Sequence, residues 1–247
     1  MEFNNKTKKD FNFQEGEILL VDKPLEWTSF DVVNFYRKLI SKVLKIRRIK
    51  IGHAGTLDPL ATGLLILCTG KFTKKIDQIQ AKEKEYTGTF TLGATTPSYD
   101  KETEVDNTFP TENLSEAQIL EATKQFIGTI EQIPPIFSAK KINGKRAYEY
   151  ARKKDETIKM QAKTISIKEF EITKINIPFV DFRVICGKGT YIRSLAYDFG
   201  KALNNGAHLS SLCRTKIGDY SLNNAYEIQE LKKEIVEFGE RKQDVLT

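Results

Sequence analysis

Alternation of apolar and polar side chains narrows what this chain can become more than any other feature. Tyr86, Gly88, Phe90 and Leu92 fall on one face of a stretch whose other face carries Thr87, Thr89 and Thr91. A period of two residues is that of a strand with one side buried. The stretches 164–173 and 179–186 alternate in the same way, and Glu17 to Val21 and Leu64 to Cys68 read as short buried strands. Asn143-Gly144 is a strong signal for a tight hairpin turn, because both residues tolerate positive φ. Helical spacing is found in fewer places. Val32, Val33, Phe35, Tyr36, Leu39, Ile40 and Val43 follow Ser29 as N-cap, residues 72–81 read as helical, and Ser115 with Gln118 forms a capping box for a helix that stops at Gly128. A basic helix is expected from Lys145 to about Lys154, with Tyr148 and Tyr150 among its cations. Further helices follow Thr190 as N-cap and run through Ile228, Leu231, Ile235 and Phe238. Strands joined by hairpins, with a few inserted helices and a long polar loop over 94–113, imply an α+β fold. Its central sheet is expected to be mixed and mostly antiparallel, not doubly wound.

The expected division is a flexible N-terminal segment (1–15), one main body (16–218) and a short C-terminal helix and tail (219–247). Phe11 and Phe13 are the residues of the first segment that could tuck onto the body. No apolar run approaches the ~20 residues a membrane span needs, and the N-terminus has no apolar signal core. Cys68, Cys186 and Cys213 are odd in number and widely separated, which suits reduced thiols in the cytoplasm. His53 and His208 lie at no metal-ligand spacing, so no metal is expected. The net charge of +6 matters through its distribution. Arg37 to Lys50 holds seven basic residues and no acid, and Lys140 to Lys154 holds seven against Glu149 alone. Such clusters are either solvated faces or a phosphate-contacting surface, and two of them suit a folded polyanion better than a small phosphate ester.

Residues 52–63 read G-H-A-G-T-L-D-P-L-A-T-G. Proline disfavours the helical region for the residue before it, so Asp58 is expected in extended backbone on a glycine-rich loop. Taken alone, this is an ordinary Asp-Pro turn. Gly187-Lys188-Gly189-Thr190 then opens a helix with Arg193 in its first turn, the wrong charge for the positive end of a helix dipole. Arg193 therefore calls for a carboxylate or phosphate partner, or else reaches into solvent.

Five motifs in order, V-D-K-P at 21–24, the 52–63 stretch, K-E-Y at 84–86, I-P-P-I-F-S-A-K-K-I-N-G-K-R-A-Y-E-Y-A-R at 133–152 and G-K-G-T-Y-I-R at 187–193, resemble those of the tRNA pseudouridine synthase B (TruB) family. The resemblance runs from about Gly16 to about Gly218. It implies the pseudouridine synthase fold and isomerisation of uridine to pseudouridine at position 55 in the tRNA T loop. No cofactor, no membrane and no obligate protein partner are implied, and a cytoplasmic monomer is expected. On the matching positions, Asp58 is the catalytic aspartate, Tyr86 the tyrosine that stacks on the target base, and Arg193 the arginine that pairs with the aspartate. His53 matches a histidine inserted among T-loop bases, Tyr191 and Leu212 match pocket positions, Lys23 lies in the K-P motif, and Asp100 keeps the acid of the loop after the tyrosine strand. Flipping the uridine out of its stack would take a few kcal/mol. Whether the aspartate attacks C1′, adds to the base or removes a sugar proton stays open. Two departures stand out: the loop reads T-T-P-S-Y-D in place of a T-D-T-x-D pattern, and about 30 residues after Gly218 are too few for a PUA domain. The alternative readings are a non-catalytic tRNA-binding chaperone and, lower, a hydrolase. The hydrolase is disfavoured because no second carboxylate or histidine is placed to activate water.

Overall fold

The computed structural model describes residues 10–138, 141–142, 145–147, 150 and 160–244. The chain forms two compact units, one made of the residues up to Lys82 with those from Arg214 onward, the other of Glu83–Cys213. The first unit contributes β1 (Ile18–Lys23), α1 (Ser29–Val43), β2 (Ile51–Ala54), β3 (Ala61–Thr69) and α2 (Ile76–Ala81). The second contains β4 (Lys84–Leu92), β5 (Ala94–Thr95), β6 (Asn107–Thr108), α3 (Glu116–Thr123), β7 (Gly128–Gln132), β8 (Lys141–Ile142), β9 (Lys145–Arg146), β10 (Lys163–Asn176), β11 (Phe179–Cys186) and α4 (Ile192–Ala202). The chain passes back along β12 (Ala207–Ile217) and ends with β13 (Tyr220–Ser221) and α5 (Ile228–Asp244).

In the first unit β3 pairs antiparallel with both β1 and β2. It is apolar without alternation because both of its faces are covered. Leu65 and Leu67 join Leu19 and Val21 of β1, Val32, Val33, Tyr36 and Ile40 of α1, and Leu231, Ile235 and Phe238 of α5. Leu64, Ile66 and Cys68 face the other way, toward Ile79 of α2 and Ile217. This arrangement corrects two boundaries. Phe11 and Phe13 are buried, stack on each other at 4.8 Å, and meet Phe238 edge-on at 5.5 and 6.0 Å, so the chain is anchored well before residue 16. The final helix belongs to this same core and is not a separate appendage after 218.

A third correction concerns the start of α1. The cap is Thr28, whose hydroxyl accepts from Asp31 N at 3.0 Å while the Asp31 carboxylate accepts from Thr28 N at 2.9 Å. Two adjacent hydroxyl residues compete for that role, and Ser29 is committed elsewhere.

In the second unit β4, β11, β10 and β7 pair antiparallel in that order, with Tyr86 opposite Val184 and Ile165 opposite Ile130. The expected alternation places Tyr86, Phe90 and Leu92 on the buried side. Phe90 stacks on Phe182 at 4.1 Å, and Phe126, Phe170 and Phe199 complete an aromatic core beneath α4. The loop over 94–113 contains the short β5–β6 pair, and β12 is far longer than the short strand expected around Leu212. Strands β8 and β9 pair Lys141 with Arg146 and Ile142 with Lys145, as a hairpin through Asn143-Gly144 requires, although those two residues lie outside the described ones. Lys145 and Arg146 are therefore strand, and the expected basic helix starts after them, with Ala147 and Tyr150 helical; residues 148–149 and 151–154 lie outside the described residues. Among the described residues no helix is long and apolar enough to cross a membrane.

Candidate active site

Asp58 lies just past β2 in a loop whose backbone is gripped from several sides. Gly55 turns the chain at φ +87°, a conformation that disfavours any side chain, and a Cβ there would come within 3.3 Å of the Arg214 guanidinium. Its carbonyl accepts from Arg214 Nη2 at 2.9 Å. Ser29 Oγ accepts from Leu57 N at 2.8 Å and donates to Leu57 O at 3.1 Å, both bonds being buried. Pro59 O accepts from Glu26 N at 2.9 Å and from Lys23 Nζ at 3.3 Å. Ala61 N closes a turn onto Asp58 O at 3.1 Å. Asp58 itself is half-buried and lies outside helix and strand, in keeping with its place before Pro59.

Two buried cations set the electrostatics of this loop. Lys23 is fully buried on β1 and donates to Trp27 O at 2.6 Å and Pro24 O at 2.8 Å as well as to Pro59 O. Burial pulls its pKa down to about 8, opposed by the attraction of Asp58. The second cation, Arg214, is only 1% exposed and also donates through Nε to Leu64 O at 2.8 Å. Burial, and then the charge of Arg214, depress the pKa of His53, so this imidazole is held neutral. Its Nε2 lies 3.0 Å from Thr56 Oγ1.

The remaining expected residues fall in the second unit. Tyr86 occupies β4, 9% exposed, with its ring on the face shared by Phe90 and Leu92. Tyr191 is the N-cap of α4, where Thr190 was expected, and the side chain of Gln132 replaces a hydroxyl cap: Gln132 Oε1 accepts from Tyr191 N at 2.8 Å and its Nε2 donates to Tyr191 O at 3.1 Å. Ser194 Oγ donates to Ile133 O at 2.7 Å, further tying this helix end to the segment after β7. Arg193 is buried in the first turn, as expected, and the carboxylate its position calls for is present: Nε lies 3.5 Å from Asp100 Oδ2. Its Nη1 donates to Phe137 O at 2.9 Å and Ser98 O at 3.3 Å. Leu212 is half-buried on β12.

The structure thus groups Lys23, His53 and Asp58 in one unit and Tyr86, Tyr191, Arg193 and Leu212 in the other. Sequence reasoning missed Ser29 as a staple of the Asp58 loop, Arg214 beneath Gly55, and Gln132 as a cap. For Ser29 a signal existed, since the adjacent Thr28 and Asp31 make the better capping box. For Arg214 none did, because a basic residue in a polar strand reads as exposed. Among the described residues no group of three or more histidine, cysteine, aspartate and glutamate side chains is placed to hold a metal ion.

Residues 41–192 match the family model described as TruB family pseudouridylate synthase (N terminal domain), and residues 193–247 match that of the tRNA pseudouridylate synthase B C-terminal domain. A protein of Flavobacterium johnsoniae named tRNA pseudouridine synthase B is 62% identical over 217 residues, covering 87% of this chain and 94% of that one. A Phocaeicola vulgatus protein of the same name is 55% identical, covering 88% and 92%. Among solved structures, a Cbf5-Nop10-Gar1 complex matches with a TM-score of 0.65 at 29% identity, covering 90% of this chain and 54% of that one. An H/ACA RNP bound to a substrate RNA containing 2'-deoxyuridine matches at 0.63 and 27%, covering 90% and 53%. This chain spans about half the length of those two. The α+β architecture is that of the pseudouridine synthases, and the chain belongs to the TruB family of pseudouridylate synthases.

Proposed function

We propose that this protein is a tRNA pseudouridine synthase, an isomerase that converts uridine to pseudouridine at position 55 in the T loop, as a cytoplasmic monomer without cofactor. The C1′–N1 bond of a flipped-out uridine breaks, the base turns, C1′ bonds to C5, the proton on C5 is lost, and N1 takes up a proton, so that the product is an isomer of the substrate. We assign the chemistry to Asp58, with Tyr86 and Arg193 as catalytic partners. His53, Tyr191 and Leu212 are assigned to substrate binding, and Lys23, expected to line the same pocket, is assigned to holding the Asp58 loop, since it is fully buried and its three donors go to Pro24, Trp27 and Pro59.

The observation that carries the assignment of Asp58 is its setting: a carboxylate beside the buried ammonium of Lys23, on a loop whose backbone is held at Gly55, Leu57 and Pro59. Such a loop has little freedom to move its acid away from a bound sugar, which is what positioning for catalysis requires. The assignments of Tyr86 and Arg193 are supported by their motif matches, and that of tRNA as substrate by the names of the relatives. The basic stretch from Arg37 to Lys50 supplies cations for phosphate contacts.

The test is to incubate unmodified tRNA transcript with the wild type and with Asp58→Asn and to map pseudouridine chemically. Product at position 55 with the wild type and none with the variant is expected. Tight tRNA binding without product from the wild type would favour the chaperone reading, and equal product from the variant would remove Asp58 from the mechanism.

A further inference from the structure

Tyr99 and Asp100 are consecutive residues whose side chains engage one face of α4 at positions four apart. Tyr99 stacks on Tyr197 with ring centroids 4.2 Å apart and planes 16° from parallel, and Asp100 pairs with Arg193 one turn earlier. Residues i and i+4 of a helix lie one above the other, so the loop grips the helix at two adjacent points. The loop is built for this grip. Tyr99 adopts φ +63°, a left-handed conformation uncommon for an aromatic residue and retained only where the surroundings enforce it. Thr96 Oγ1 and Ser98 Oγ both donate to Asp100 O, at 2.6 and 3.2 Å, and Asp100 Oδ1 accepts from Glu102 N at 2.9 Å. On the far side Leu209 N donates to Tyr99 O at 2.9 Å. Burial, then the neighbouring Tyr197, raises the Tyr99 pKa to about 12, so the stacked phenol stays protonated.

We propose that the Tyr99–Tyr197 stack is a positioning device that fixes the Asp100–Arg193 pair for the reaction. The part concerning catalysis rests on the proposed role of Arg193, whereas the geometric part does not.

The test compares Tyr99→Ala, Tyr99→Leu, Tyr99→Phe, Tyr197→Ala and the double alanine variant. Without tRNA, proton exchange at Arg193 Nε followed by side-chain nitrogen NMR reads the clasp directly. With tRNA transcript, kcat and KM read its consequence. Tyr99→Ala, Tyr99→Leu and Tyr197→Ala are each expected to speed Nε exchange and lower kcat by about tenfold, with KM changed less than about twofold, since one aromatic pair is worth at most about that factor. Tyr99→Phe keeps the stack and should match the wild type. The double variant should be no worse than either single, as for two halves of one contact. Tyr99→Leu keeps apolar bulk and so serves if Tyr99→Ala does not fold. Unchanged exchange in Tyr99→Leu, additive losses, or failure of phenylalanine to restore both readouts would overturn the proposal. A wild type inactive on tRNA would defeat the enzymatic reading while leaving the exchange measurement to decide the clasp.

Discussion

The loops that carry Asp58 and Asp100 each present an acid beside a buried cation, but they are held in opposite ways. Around Asp58 the grips come from distant side chains and land on backbone: Arg214 on Gly55 O, Ser29 on both polar groups of Leu57, Lys23 on Pro59 O. Around Asp100 the loop holds itself with its own side chains, through Thr96, Ser98 and the Tyr99 stack, and the Asp100 carboxylate is itself part of the hold on Arg193. A loop fixed through its backbone can lose the side chain at position 58 and keep its shape. A loop fixed through side chains cannot lose its charged partner without consequence.

That contrast predicts different outcomes for two losses of activity. Asp58→Asn should reduce pseudouridine formation by at least about 10³-fold while lowering Tm less than the loss of Arg193 does, since an isosteric change at a half-buried position removes none of the backbone grips. Arg193→Ala should also cost activity, but it leaves Asp100 buried without its cation, worth roughly 3 kcal/mol of stability. For a chain of this size that is a fall of roughly 6 to 12 °C in Tm by calorimetry. Filter binding should show tRNA affinity falling less than activity, and a tenfold loss of affinity would contradict a catalytic role for Arg193. Equal Tm shifts in the two variants would break the comparison between the loops.

Ser29→Ala tests the backbone-held loop from the other side. It leaves the N–H and C=O of Leu57 buried without the hydroxyl, at roughly 2 kcal/mol. We expect kcat about tenfold lower with a smaller change in KM, and chemical denaturation with unchanged m but a lower midpoint. A variant with wild-type kcat would show that the staple is not what aims Asp58.

What was legible in the sequence was what local chemistry decides. The Ser115–Gln118 capping box appears as read, and β11 spans the residues whose alternation announced it, because caps and pleats depend on near neighbours. The helix dipole left Arg193 between a carboxylate or phosphate partner and solvent, and the structure places the carboxylate of Asp100 beside it. Illegible features depend on contacts distant in sequence. That Phe11 and Phe13 could tuck onto the body was legible, but not that they would meet Phe238, at the other end of the chain. Arg214 is buried because Leu64 and Gly55 turn carbonyls toward it, which no periodicity encodes. The Thr28–Asp31 capping box was legible, but the use of Ser29 to hold Leu57 comes again from outside the helix.

The smallest expected effect concerns pH, and it separates activity from stability at the same residue. The pKa of Lys23 is lowered from its ordinary 10.5 to about 8, chiefly by burial. Between those values the unfolded chain holds this proton while the folded one has released it, so the contribution of Lys23 to stability rises with pH across that window. Activity should move the other way. Above about pH 8 the charge beside Asp58 is lost, and a neutral amine can donate only two of the three bonds now made to Pro24, Trp27 and Pro59. Measured from about pH 6 to about pH 10, kcat/KM should therefore fall several-fold with a midpoint near 8, while Tm shows no matching loss there. Lys23→Met, weaker throughout because three carbonyls lose their donor, should lack that alkaline limb. The same limb in the variant would assign the titration to another group and leave the backbone-held loop without an electrostatic role for its lysine.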